Sequence, residues 1–245
     1  MPSVLTEHRI ARKKVTRWRR IRLILLMIPP CFAILPVALT LLFRFIAPPF
    51  SMLMIERLFE SRESGAKYSS HYEWVDLDRI APPMPLAVIA SEDQNFMRHR
   101  GFDWKAIERA IDYDENGKRL HGASTITQQT AKNLFLWPNQ NWIRKGLEAY
   151  FTVLLEVCWN KHRILETYLN IVEFGDGIYG VEAAAKHYFH KPAGRLTAEE
   201  AALLAAVLPN PHRLKANAPT AYLRGRQRWI LDQMMHLRIE EVTNR

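Results

Sequence analysis

Apolar positions recur along this chain at helical spacing and almost nowhere at the spacing of a strand. Leu147, Phe151, Leu154, Leu155 and Cys158 fall at i, i+4, i+7, i+8 and i+11, which predicts a helix over residues 143–159. Asp103 reads as a helix cap, with apolar Trp104, Ile107 and Ile111 along one side of the helix that follows. Thr197, with Glu200 three residues on, forms a capping box ahead of an Ala/Leu-rich buried helix ending at Pro209. The apolar run Leu86-Ala87-Val88-Ile89-Ala90 leads directly into Ser91 and Glu92. No stretch alternates at period two for long, and there is no internal repeat or low-complexity segment. The prediction is an all-α domain from residue 86 onward.

Residues 23–43 are apolar throughout, twenty-one positions without a charge. About twenty such residues cross the ~30 Å hydrocarbon core as a helix. Pro29, Pro30 and Pro36 cost more in a soluble helix than in a membrane one. The run is too long for the core of a cleaved signal peptide and has no obvious small-residue cleavage site, so an uncleaved anchor is expected. Charge supports this reading. Residues 1–22 hold eight cations against Glu7, so +7 of the chain's +9 lies beside the apolar run. A nucleic-acid binder would spread its basic residues over a folded face. The positive-inside rule places this tail in the cytoplasm and the rest of the chain on the far side of the membrane, in a bacterium the periplasm or the cell surface.

The expected organisation is therefore a basic tail (1–22), a transmembrane anchor (23–46), a connector (47–85) and a catalytic domain (86–245). The connector is rich in aromatics and ends in Ala81-Pro82-Pro83-Met84-Pro85. A length of 245 residues suits one catalytic domain with a short appendage. The exported part has a single cysteine and hence no internal disulfide. Cys158, on its apolar stripe, is expected to be buried and inert.

Three segments carry candidate chemistry. Glu92 follows an apolar run, and a carboxylate among apolar neighbours has a raised pKa and suits a general base. On a helix starting near Ser124, the residues Thr125, Gln128, Gln129 and Lys132 form one polar stripe. So many uncharged donors beside one cation suit sugar hydroxyls and phosphate. Arg144 and Glu148, at i and i+4, share a helix face. Each piece alone has a plainer reading, as a surface acid, solvated glutamines or an exposed ion pair.

Their order and spacing together resemble the glycosyltransferase family 51 peptidoglycan polymerases in their monofunctional form. The pattern E-D-x-x-F-x-x-H-x-G is met by Glu92, Asp93, Phe96, His99 and Gly101. G-x-S-T-I-T-Q-Q-x-x-K-N is met by residues 122–133, and R-K-x-x-E by Arg144, Lys145 and Glu148. K-x-x-I-L-E-x-Y-L-N is met by Lys161, Ile164, Leu165, Glu166, Tyr168, Leu169 and Asn170. The resemblance covers roughly residues 80–219 and implies a lysozyme-like, two-lobed helical domain, its smaller apolar lobe dipping toward the bilayer. It implies lipid II as acceptor and the growing glycan strand as donor. Catalysis then falls on Glu92 and Glu148. Substrate binding falls on Asp93, Phe96, His99, Ser124, Thr125, Gln128, Gln129, Lys132, Asn133, Arg144 and Lys145.

Transfer from an α-linked diphosphate to a β-1,4 bond inverts the anomeric carbon in one displacement. A diphosphate leaves readily but needs positive charge where negative charge develops, which Lys132, Arg144 and Lys145 offer. Glu148 either holds Arg144 or helps bind a divalent cation, Mg²⁺ or Mn²⁺. Other partners are membrane lipids and other cell-wall synthesis or division proteins. A muramidase-like lytic enzyme and an inactive membrane scaffold are the competing functions. Ser64-Gly65-Ala66-Lys67 matches S-x-x-K, but no K-T-G follows it. His187 and His190 lack a third metal ligand, and Glu166, Glu173 and Glu182 read as caps or structural pairs.

Overall fold

Side-chain caps begin most helices of this chain. Ser51 accepts from the Met54 amide and opens α1 (Met52–Ser64), which Gly65 closes in the left-handed region. A run of prolines starts α2 (Pro83–Glu92), where the missing N–H groups cost nothing. Asp103 accepts from the Ala106 amide at 3.0 Å and leads into α3 (Trp104–Glu115). Thr125 closes a capping box with Gln128 at the head of α4 (Ile126–Phe135). Asn141 caps α5 (Trp142–Cys158) and Asn160 caps α6 (Lys161–Ile171). α7 (Val181–Phe189) follows Gly180, the Thr197–Glu200 capping box opens α8 (Ala198–Val207), and Thr220 caps α9 (Ala221–His236).

The structure is a computed structural model that describes residues 34–65, 69–115, 124–137 and 141–237, without the side chains of 111–115. The basic tail and the first part of the expected anchor lie outside the described residues. Residues 34–45 are helical, with Ile34, Leu35, Leu41, Leu42 and Phe45 exposed. Among the described residues no helix is long and apolar enough to cross a membrane.

A second compact unit begins at Ile46 and runs to the C-terminus. The stretch read as a connector therefore folds within it, as α1, β1 (His71–Tyr72) and the start of α2. β1 pairs parallel with β3 (Ile178–Tyr179), which pairs antiparallel with β2 (Glu173–Gly175). Strands this short cannot display alternation, which is why an all-α expectation missed them. Gly177 turns the hairpin at φ +69°, where a Cβ would lie 2.1 Å from the Ser69 carbonyl oxygen.

Two packed groups of helices set up the site. Beyond its acidic first turn α8 is apolar on all sides, buried from Ala201 to Val207, and packs between α2 and α9. Val88, Leu204, Ala205, Leu223 and Ile230 fill that contact. α4 packs against both α5 and α6 around Ile126, Ala131, Leu155, Ile164 and Leu165. Cys158, expected to be buried, is half-buried at the end of α5 because the helix turns it toward the surface.

Candidate functional site

Glu92 is the last residue of α2, and its half-buried carboxylate is held from three directions. Ser91 donates to its Oε1 at 3.0 Å, and the Gln129 amide donates to its Oε2 at 3.1 Å. Arg226, from α9, brings a guanidinium nitrogen to 3.8 Å of Oε1 and donates to Ser91 Oγ at 3.2 Å. The carboxylate is thus oriented, desolvated in part and faced by one cation.

Asp93 does different work next door. It is buried, accepts the Ile126 amide at 2.9 Å and lies 2.9 and 3.0 Å from His99 Nε2 through its two oxygens. It therefore pins the start of α4 to the end of α2. Thr125 donates to the Gly101 carbonyl at 2.7 Å. Gly101 stands at φ +87°, and a Cβ there would meet Thr152 at 2.7 Å, so the motif's glycine is sterically required.

α4 carries the site from the carboxylate toward its cations. Gln129 and Lys132, at i and i+3, share a face. Lys132 is open to solvent by area, yet protein crowds its stem, and this desolvation lowers its ammonium pKa. Glu148 opposes the shift, while Arg144 and Lys145 reinforce it, so these three charges stand around Lys132. Arg144 donates to Glu148 Oε2 at 2.8 Å and Lys145 donates to Oε1. The Glu148 side chain is only 4% exposed and that of Arg144 11%, so this is no surface pair. Arg144 Nε is buried without a hydrogen-bond partner among the described residues, an unspent donor in the cationic group.

Residues 60–235 match the family described as Transglycosylase. The chain belongs to the transglycosylase family. It is 57% identical to the biosynthetic peptidoglycan transglycosylase of Cronobacter sakazakii over 202 residues, 82% of this chain and 84% of that one. It is 58% identical to that of Mannheimia succiniciproducens over 204 residues, 83% of this chain and 84% of the relative. With that of Shigella boydii the identity is 52% over 230 residues, 93% and 95% of the two chains.

Several transglycosylase motif residues lie behind the surface they were expected to form. Phe96 is fully buried, packed edge-on to His99 and under Lys161 Nζ, 4.5 Å from the ring centroid. Gln128 is buried and spends its side chain on the α4 capping box, and Asn133 is buried as well. The expected polar stripe is split accordingly: Thr125 and Gln128 satisfy the helix start, while Gln129 and Lys132 face the site. Ser124 is exposed beside the Glu92 cleft, and Gly122 lies outside the described residues.

Three side chains reach the site without having been singled out for it. Tyr168, fully buried, donates to Gln129 Oε1 at 3.1 Å. Arg226 and Trp229 come from α9, beyond the stretch that carries the resemblance, and Arg226 lies 135 positions from Ser91. Tyr168 had a signal, since it sits in the fourth motif; α9 had none.

Of the acids set aside, Glu166 accepts the Leu77 amide and Glu182 the Ala193 amide, each at a buried turn. Glu173 pairs with Arg57 and His212 and, with Asp176, forms the one His/carboxylate group of metal-binding spacing among the described residues. His187 and His190 are exposed. Each Glu148 oxygen accepts from a cation, so a divalent ion there would share the carboxylate with Arg144 and Lys145.

Proposed function

We propose that this peptidoglycan glycosyltransferase of cell-wall synthesis polymerises lipid II by direct displacement, with Glu92 as the base. The acceptor's 4-hydroxyl gives its proton to Glu92 as its oxygen attacks the anomeric carbon of the strand. The C1–O bond to the diphosphate breaks, inverting the centre and releasing undecaprenyl diphosphate. Lys132 and Arg144 face the departing charge. Glu148 holds Arg144 and Lys145 in place.

The observation that carries this reading is the asymmetry of the two glutamates. Glu92 is held by neutral donors with one cation at 3.8 Å, whereas both Glu148 oxygens are occupied by cations. A lytic glycosidase would need two carboxylates flanking the bond, one of them a proton donor. Glu148 instead spends both oxygens on the Arg144 and Lys145 side chains, which suits a holding role better than a second carboxyl at the bond.

The same reading places the domain against the outer face of the bacterial inner membrane, with residues 1–22 cytoplasmic, and gives it the two-lobed lysozyme-like form. The apolar side of α5 supports the membrane placement: Trp142, Ile143, Tyr150, Val153 and Val157 are all exposed along one helix. The test is turnover of lipid II by the full-length protein in detergent. The wild type should lengthen glycan and release undecaprenyl diphosphate. Cleavage of finished sacculi without use of lipid II would instead favour the lytic reading.

A further inference from the structure

A cleft of about 200 Å³ opens beside Ser91 and Glu92. Lys132, Arg144, Lys145 and Glu148 take no part in its lining. Its wall carries the acids Glu92, Asp93 and Asp103 against the single cation Arg109, with the amides Gln94 and Asn95 between. Such a lining repels a diphosphate and accepts hydrogen bonds from hydroxyl groups.

One aromatic side chain completes it. Trp229 lines the cleft and is 45% exposed. Arg226, Trp229 and Gln233 stand at i, i+3 and i+7 on α9 and share a helix face. The first and last are bonded to the base segment: Arg226 to Ser91, and Gln233, which accepts from Gln94 at 3.1 Å. The indole between them is therefore fixed over the cleft. An open apolar ring among hydrogen-bonding side chains suits a pyranose, which offers an aliphatic face and a rim of hydroxyls.

We propose that Trp229 is the platform of a saccharide subsite that holds phosphate-free sugars of the growing strand beside Glu92. This deepens, and rests on, the polymerase reading above. A strand held there stays bound between additions, so the subsite governs how long each strand becomes.

The test compares full-length wild type, Trp229→Ala and Trp229→Phe. Binding of a soluble β-1,4-linked N-acetylglucosamine tetramer is measured by calorimetry, and strand length and initial rate are measured on lipid II. Trp229→Ala should weaken tetramer binding by about tenfold, the order expected for one lost ring contact. It should shorten strands, and Trp229→Phe should stay close to wild type in strand length and tetramer binding because it keeps a stacking face. Wild-type strand lengths and unchanged tetramer binding in Trp229→Ala overturn the proposal. So does Trp229→Phe failing as badly as Trp229→Ala, which would mark a packing role. Failure of wild type to use lipid II at all would remove the polymerase reading itself, whereas tetramer binding reports on the subsite independently.

Discussion

Gln129 links the proposed base to the buried core: its Nε2 donates to Glu92 at 3.1 Å and its Oε1 accepts from Tyr168 at 3.1 Å. The second bond decides the first. An amide can present either end to a carboxylate, and only the N–H end attracts it. The Tyr168 phenol, buried and facing Glu92 and Asp93, has its pKa pushed well above the ordinary value by burial first and by those acids next. It remains a donor at any working pH and so holds the amide the right way round. Tyr168→Phe frees the amide to turn its oxygen toward Glu92. We expect a loss of about 1 kcal/mol in urea unfolding, as for one buried hydrogen bond. Turnover of lipid II should fall by about tenfold, since a mis-set base loses part of its proton-transfer advantage. An unchanged rate would show that the amide's orientation does not matter.

Replacing Glu92 with Gln keeps the shape and removes the base. The rate should fall by about 10²–10⁴, the range typical of a general base. Thermal unfolding should barely move, because Ser91 and Gln129 can still hydrogen-bond to an amide. A variant retaining a tenth of wild-type turnover or more would exclude Glu92 from that role.

The site residues were legible because they cluster in short, ordered motifs, but their division of labour was not. Asp93 and Glu92 are adjacent in sequence, yet one ties α2 to α4 and the other faces the cleft. A peptide turns successive side chains apart at a helix end, and only coordinates show which way each goes. Phe96 and Gln128 read as substrate contacts for the same reason; the motif marks them, but burial places them beneath. The helices were readable from caps and apolar spacing, as with Thr197–Glu200. β1 and β3 were not, since a pairing between residues 71–72 and 178–179 leaves no local trace. The contribution of α9 was hidden for a related reason: its contacts with Ser91 and Glu92 are purely tertiary.

Lys132 carries a pH signature. Its pKa is lowered, chiefly by desolvation, then by Arg144 and Lys145 against the opposing pull of Glu148. The ammonium therefore loses its charge at a lower pH than an ordinary lysine, and diphosphate stabilisation goes with it as pH rises. The alkaline limb of kcat/KM should begin below the normal lysine range. Lys132→Arg remains charged throughout. It should be slower at neutral pH, having the wrong shape, but its alkaline limb should move upward. Superimposable alkaline limbs in the two proteins would remove Lys132 from the charge balance. Lys132→Ala should lose most of its turnover at every pH.

Glu56, on α1, makes the opposite kind of prediction, about stability. Its carboxyl is pushed up from 4.5 to about 7, first by burial, with Arg57 opposing and Glu60 and Glu173 adding repulsion. An acid whose pKa is higher folded than unfolded binds its proton more tightly in the folded state. Between about pH 4.5 and 7 the folded protein thus holds more protons than the unfolded chain, and stability falls as pH rises through that window. Above it the penalty is constant, and below it absent. The group is only partly buried, so solvent screening reduces the effect to about 1 kcal/mol. Glu56→Gln removes the titration while keeping a donor toward Glu60. At pH 8 the variant should melt about 3 °C above the wild type, the shift expected for that energy in a chain of this size. At pH 4 the two should converge. Melting curves that run parallel from pH 4 to pH 8 would show that Glu56 titrates no differently folded than unfolded.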